Sequence, residues 1–572
     1  MENSYDIVVI GSGIAGASVA LCLGRVGART LVVERKSHPR FAIGESTLPT
    51  TSILLRHLGR AYGVPELAQV CHYLGCKENG LTAWPKQHFW FAYNHEGRPV
   101  SPDEELMLET LLLPQGPDCH WMRADVDGFL TSRLPAYGVD YTDHTEVVDF
   151  DTRADGVELR LRRADGEHVV RAKYVVDASG HASFLADKFE LRDPVPRLKT
   201  NTRVIFSHFR NVRPTNDLLG GPHANFRFNR FNGTQHHVFH GGWMWIIPFD
   251  NGVTSVGLVL DRDVYPLDPS TSPKDEFWRF IERFPTVTEH LRGAEAIREY
   301  NRTDRVQFTS KTILGERFIL TPHAAGFVDA LYSSGVLLTC AFIARFIPLV
   351  RQALADGDFS PERFRGVERD FFGELEQVDR LVSGSIRASR HREVHKQFWK
   401  TWVYASFAQA ASKLLHPDAL GIQLYGGSIP AFRRDVARMH EIVSEEGGDE
   451  LERAARLREI ITGWHEQISY GMVHTFGEPD VGGSLCITAP DFKQSRDRLS
   501  AFLQNHAAKY PEHLPKLDLQ HAMAWVKEGS KHRENYVATY ANENDTSVLR
   551  RSLGVIFEGA NPSFDYFTDL RS

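Results

Sequence analysis

The chain has 572 residues, room for about three to five domains of ordinary size. Hydrophobic residues make up 42% and charged residues 24%, a globular balance that excludes wholesale disorder and collagen-like or coiled-coil architectures. With 66 Lys and Arg against 73 Asp and Glu, the net charge of −7 argues against a nucleic-acid scaffold, because neutralising phosphates takes a basic surface.

The six cysteines have neither disulfide-like nor zinc-like spacing and read as small buried thiols. The N-terminal stretch lacks the charged and apolar regions of a secretory leader, and no run approaches 18 apolar residues. The expectation is a cytoplasmic protein with no membrane segment and no nucleic-acid partner.

The first predicted element is a strand, Asp6-Ile7-Val8-Val9-Ile10, whose unbroken apolar run suits burial on both faces. Gly11-Ser12-Gly13-Ile14-Ala15-Gly16 follows, then a helix over Ala17 to Val26 and a second strand, Thr30 to Val33, ending at Glu34. Glycines in this pattern allow a tight turn and close approach of backbone to a pyrophosphate, while the helix start offers its N–H groups to the anion. Glu34 stands where a carboxylate can accept from ribose hydroxyls. The fingerprint sits between strand and helix with the acid at the expected distance, which marks a dinucleotide site. It does not by itself separate NAD from FAD.

Five later segments bear on that choice. They are Arg40-Phe41-Ala42-Ile43-Gly44-Glu45-Ser46-Thr47-Leu48-Pro49, Cys76-Lys77-Glu78-Asn79-Gly80 and the predicted strand and turn Tyr174 to Gly180. Gly242-Trp243-Met244-Trp245-Ile246-Ile247-Pro248 and Ala324 to Val336 complete the set. On a strand Trp243, Trp245 and Ile247 project to one face, a wall of two indoles and an aliphatic chain. Alone, that pattern better suits the core of an ordinary sheet.

In this order, over roughly residues 5–380, the segments resemble the flavin-dependent halogenases. The resemblance implies an α/β fold: a Rossmann-type FAD-binding domain of the FAD monooxygenase type, an inserted and mostly antiparallel substrate sheet, and a helical C-terminal region. It implies FAD contacts at Gly11, Gly13, Ile14, Ala15, Gly16, Glu34, Arg35, Ile43, Gly44, Glu45, Ser46, Arg123, Asp177 and Asp329. A halide is expected on the amides of Ser334 and Gly335, with Trp243, Trp245 and Tyr332 walling the substrate passage. The family's catalytic lysine, some thirty residues beyond Gly-Glu-Ser, maps to Lys77. Lys86, further along and directly after Pro85, fits that spacing less well.

The implied reaction uses FADH2, oxygen and chloride or bromide to make hypohalous acid, which the lysine directs onto an electron-rich ring. Tyr332 stands where the tryptophan-specific branch has glutamate, which points to a phenolic or carrier-protein-tethered substrate in natural-product biosynthesis. Pro322-His323 replaces the superfamily's Gly-Asp, and Ala330 replaces a usual proline. No second nucleotide fingerprint is evident, so a separate flavin reductase is the expected partner. The alternatives are a single-component FAD hydroxylase or reductase, which would consume NAD(P)H itself, and a non-catalytic flavoprotein.

The expected domains are 1–190 plus 300–365 for FAD, 195–300 for the substrate sheet and 366–572 for the helical tail. Amphipathic stretches around Phe371 to Leu375, Phe398 to Leu415, Leu451 to Trp464 and from Phe502 onward carry that last reading. His391 and His395 share a helical face, but with 26 histidines in the chain and no third ligand indicated, no metal is expected. His236 and His240 share a strand face next to the tryptophan motif.

Overall fold

The computed structural model describes residues 4–109, 117–220, 229–415, 424–427 and 430–467. Two large sheets organise them. In the first, the strands Leu314–Gly315, Phe318–Leu320, Gly166–Asp177, Ser4–Ile10, Thr30–Val33 and Asp140–Thr142 lie side by side in that order. The four strands from Gly166–Asp177 to Asp140–Thr142 are mutually parallel, and Phe318–Leu320 joins them parallel to Gly166–Asp177. Ile7, Val8 and Val9 are fully buried, as unbroken apolar runs in a doubly covered parallel sheet must be.

The second sheet runs Glu295–Ala296, Thr202–Arg210, Thr254–Asp261, Gly242–Pro248, Gly233–Phe239, His88–Tyr93 and Glu105–Glu109. It is antiparallel except where Gly233–Phe239 pairs with His88–Tyr93. Its two faces divide as the period of two demands: Trp243, Trp245 and Ile247 enter the main core, while Met244 and Ile246 enter a second core under the helices Pro273–Ile281 and Pro285–Leu291. Two of these strands come from 88–109, inside the stretch assigned to the FAD unit, and His88–Tyr93 is buried along its whole length there.

A two-stranded ribbon, Ala83–Lys86 with Asp118–Trp121, lies between the sheets in sequence. Among the described residues one helical stretch, Leu331–Asp356, is long and apolar enough to cross a membrane, with a mean hydropathy of 1.8. Its most apolar window is 72% buried inside the protein, which is the environment of a core helix. Beyond it come the helices Pro361–Ala388, Arg392–Leu415, Pro430–Val443 and Glu450–Gln467. The stretch from Phe502 onward lies outside the described residues, as does Cys486; the other five cysteines are free and buried.

Candidate active site

The glycine loop is built for close approach. Gly11 has φ +94°, and a Cβ there would stand 2.7 Å from the Ala178 carbonyl; a Cβ on Gly16 would stand 1.9 Å from the Gly11 carbonyl. Only glycines let strand, turn and helix pack this tightly. The helix Ile14–Arg25 then starts with Ile14, Ala15 and Gly16, whose amides have no partner four residues back.

Glu34 accepts from the Ser12 amide (3.0 Å) and hydroxyl (2.9 Å) and from the Lys36 amide (2.9 Å). Burial alone would raise its carboxyl, but Arg40 and those donors outweigh it and hold the group below the usual range. Arg40 pairs with Glu34 at 3.3 Å and lies over Gly13, whereas Arg35 is exposed. Arg40 is therefore a basic residue that reaches back to the loop from the bend after Glu34.

Arg123 opens the helix Arg123–Arg133. It donates to the carbonyls of Ile43 (2.7 Å) and Gly44 (3.2 Å) and pairs with Asp127. It therefore props the Ile43-Gly44 turn from behind. Asp177 spends both oxygens on Ser179, Ser183 and the Leu185 amide, shaping the turn after its strand. Asp329, buried, accepts from Thr202 (2.7 Å) and the Leu331 amide (3.0 Å). These three were expected at the cofactor; the contacts they make here are to the protein around its cradle.

The segment after Gly44 links the two sheets. Glu45 is buried and pairs with the equally buried His208 of the second sheet at 2.8 Å. Ser46 lies within 2.9 Å of the Thr234 hydroxyl, which lies within 2.9 Å of His120 Nε2. Lys86 closes this chain: its Nζ donates to Ser46 Oγ at 2.7 Å and to the Thr47 carbonyl at 2.6 Å. Lys86 is fully buried, with Nζ 3.6 Å from the centre of the Phe89 ring. Burial pushes its ammonium well down, while Asp118 pulls it back up.

Lys77 is elsewhere. Its side chain is 38% exposed, ion-pairs with Asp250 and donates to the Leu81 carbonyl at 3.1 Å. The expectation that it enters the passage is corrected: it lies near the end of the short helix Tyr73–Glu78, which turns it to the surface. The strand pairing of Ala83–Lys86 instead carries Lys86 inward.

Around Lys86 the aromatic side chains form a box. Phe89 meets Trp402 edge-on at 4.9 Å, and Trp402 stacks on Tyr332 at 4.5 Å and 10°. His236 stacks on Phe91 at 4.2 Å and 9° and reaches Trp243 at 5.6 Å; Trp243 and Trp245 are 5.7 Å apart. Burial pushes the His236 imidazole down to about 3, so it is neutral at ordinary pH. His237 takes the opposite face beside His290, and His240 is exposed beyond the strand end, so only His236 of the three joins the box. His395 packs against Tyr93, while His391 lies 3.9 Å from Glu450; among the described residues no metal-like cluster forms.

Tyr332 and Ser333 hold left-handed backbone (φ 69° and 52°) directly before the helix Ser334–Asp356. Such strain costs on the order of 1–3 kcal/mol per residue. The Tyr332 stack and its hydroxyl contact with Ser385 offset it. The turn leaves the first-turn amides of Ser334 and Gly335 at a helix start, where an anion is favoured. The His323 ring lies against Gly335, and burial together with Arg123 pushes its imidazole down to about 4.

Residues 4–242 match the family model described as FAD binding domain. The chain is 37% identical over 416 residues to the tetracycline 7-halogenase of Kitasatospora aureofaciens, spanning 71% of this chain and 74% of that one. The chain belongs to the flavin-dependent halogenase family. This halogenase is also 35% identical over 408 residues to the monodechloroaminopyrrolnitrin halogenase PrnC of Pseudomonas fluorescens, over 70% of this chain and 71% of that one. The crystal structure of halogenase PltM with phloroglucinol and FAD matches it with a TM-score of 0.76 at 28% identity, over 82% of this chain and 98% of that one.

It is thus an enzyme that uses FAD and takes a halide as co-substrate, and the expected α/β fold with its antiparallel second sheet and helical C-terminal region holds. The residues present fit the flavin. The glycine cradle excludes side chains where a pyrophosphate would pass, and the Ile43 side chain is left 40% exposed beside it, an apolar surface suited to a ring system. Sequence reading named Glu45 and Ser46 but missed Arg40 and the partners His208, Thr234 and His120 as site features. Arg40, Glu45 and Ser46 lie in one recognised motif; His208, Thr234 and His120 are joined to it by tertiary contacts between distant strands.

Proposed function

We propose that this halogenase directs electrophilic halogen onto an electron-rich, phenol-like ring through Lys86. The observation that carries the reading is the position of that amine: fully buried, fixed by Ser46 and Thr47 of the Gly-Glu-Ser segment, and facing an aromatic box. Bound reduced FAD would supply, with oxygen and halide, hypohalous acid.

The chain's own residues do the rest. The amides of Ser334 and Gly335 hold the halide at a helix start. Lys86 Nζ lies at the end of a hydrogen-bonded chain through Ser46 Oγ, Thr234 Oγ1 and His120 Nε2, which can hand a proton on from the amine. Trp243 and Trp245, in the sheet that roofs the site, keep the organic substrate from reaching the flavin. Phe89, Phe91, Tyr332 and Trp402 pack on one another beside Lys86, an aromatic wall whose chemistry suits a flat ring. The relatives support a small aromatic substrate, since one is a tetracycline halogenase and PltM was crystallised with phloroglucinol. A separate flavin reductase completes the reading. A carrier-tethered ring is the alternative presentation of the same chemistry.

The test supplies reduced FAD, oxygen and bromide to a panel of phenols and follows products by mass spectrometry. Lys86→Met should lose about 100-fold or more of brominated product while still oxidising reduced FAD. Bromination by Lys86→Met at the wild-type rate would refute the assignment. Hydroxylated products from wild type would favour a hydroxylase instead.

A further inference from the structure

The ribbon of Ala83–Lys86 and Asp118–Trp121 pairs Lys86 directly with Asp118 across the two strands. Both side chains are cut off from water. Ser52 Oγ lies 2.5 Å from Asp118 Oδ1 and 2.6 Å from the Cys71 carbonyl, and Asp118 Oδ2 is buried and has no hydrogen-bond partner. A buried carboxylate oxygen left this way is costly unless a nearby charge or a proton compensates it.

The groups facing the pair are few. Cys119 and His120 share the strand of Asp118, His88 comes from the strand His88–Tyr93, and His236 comes from Gly233–Phe239. Burial pushes the three imidazoles down, His88 to about 4 and His236 to about 3, and pushes the Cys119 thiol up. All four are therefore neutral near pH 7, and of these groups and Asp118 only the carboxyl can oppose the charge of Lys86.

We propose that Asp118 is a positioning residue of this halogenase whose charge, set across the strand pair from Lys86, decides in which form the amine meets hypohalous acid. As an ammonium, Lys86 donates a hydrogen bond to the oxygen of HOX. As a free amine, its lone pair takes the halogen: the N–X bond forms, the O–X bond breaks, and the hydroxide leaves with the amine's proton as water. The inference rests on Lys86 as the halogen-directing residue. Opposed burial effects support it, since burial pushes the Asp118 carboxyl up and the Lys86 ammonium down while each charge pulls the other back.

The test uses the full-length FAD-loaded enzyme and two readouts. In pH profiles of bromination, Asp118→Asn should move the limb that belongs to Lys86 toward acid by about one pH unit or more, because the amine loses its counter-charge. Ser52→Ala, a milder change, removes the donor that favours the charged carboxylate and should move the same limb by less. In thermal unfolding of the flavin-free protein, Lys86→Met combined with Asp118→Asn should lose less than the two single losses added together. An unmoved limb in both variants, or additive unfolding losses, overturns the proposal. If Lys86→Met brominates normally, the reading of Lys86 falls and takes this inference with it. If Lys86→Met is inactive while the limb stays in place, only the role of Asp118 is refuted.

Discussion

Tyr332 and Trp402, seventy positions apart in sequence, stack face to face with ring centres 4.5 Å apart and planes within 10°. The contact ties the strained turn before the helix Ser334–Asp356 to the helix Arg392–Leu415. It makes the C-terminal helical region part of the site, since Trp402 also meets Phe89 beside Lys86. Trp402→Ala should cost about 3–5 kcal/mol of stability. It should also lower product formed per FADH2 consumed, because the strained turn loses its brace. Trp402→Phe should keep most of both. Thermal unfolding and product-to-oxygen ratios check this.

Lys77 provides the control for the lysine assignment. Its exposed pair with Asp250 is worth about 1 kcal/mol or less. Lys77→Ala should therefore brominate within about twofold of wild type and unfold at nearly the same temperature. A loss comparable to that of Lys86→Met would return the catalytic role to residue 77.

Gly335 leaves no room for a side chain. A Cβ there would lie 2.5 Å from His323 Nε2. Gly335→Ala should push the ring or the helix start and raise the KM for halide several-fold with a smaller effect on FAD affinity. Adding His323→Ala removes the obstacle and should restore part of the loss. Steady-state kinetics against bromide, with FAD binding measured by fluorescence, separates the two effects.

Stability should fall on the acid side of neutrality. Burial pushes His395 down to about 4, against about 6.5 in an unfolded chain. Between those values the unfolded state binds more protons, so stability is complete above about pH 6.5 and drains away as the pH falls toward 4. At pH 5 the loss from this one group is about 2 kcal/mol. His395→Leu should flatten the fall of the unfolding midpoint between pH 7 and 5. His88, His290 and His440, also held near 4 by burial, should sustain the remainder.

Arg123 should matter to FAD through the turn it supports. Arg123→Lys keeps the charge but loses the paired bonds to Asp127 and the shared donation to Ile43 and Gly44. FAD affinity should weaken by about tenfold, as measured by equilibrium dialysis, with the unfolding temperature of the flavin-free protein changing little.

Local pattern was enough to expose the glycine loop, the parallel strands around it and the alternation that puts Trp243 and Trp245 on one face. Each of these depends on contacts within a few residues or on a period of two, so the chain carries them in plain order. Composition also showed a globular protein. Choosing between Lys77 and Lys86 was beyond that kind of reading. Spacing from Glu45 favoured Lys77, and Pro85 counted against Lys86. What separates the two lysines is the pairing of Ala83–Lys86 with Asp118–Trp121, a contact across some thirty residues that buries Lys86 and leaves Lys77 at the surface. The same holds for Glu45 with His208, for Asp118 opposite Lys86, and for Trp402 on Tyr332. A buried charge acquires its chemistry from what surrounds it, and only the folded chain brings those surroundings together.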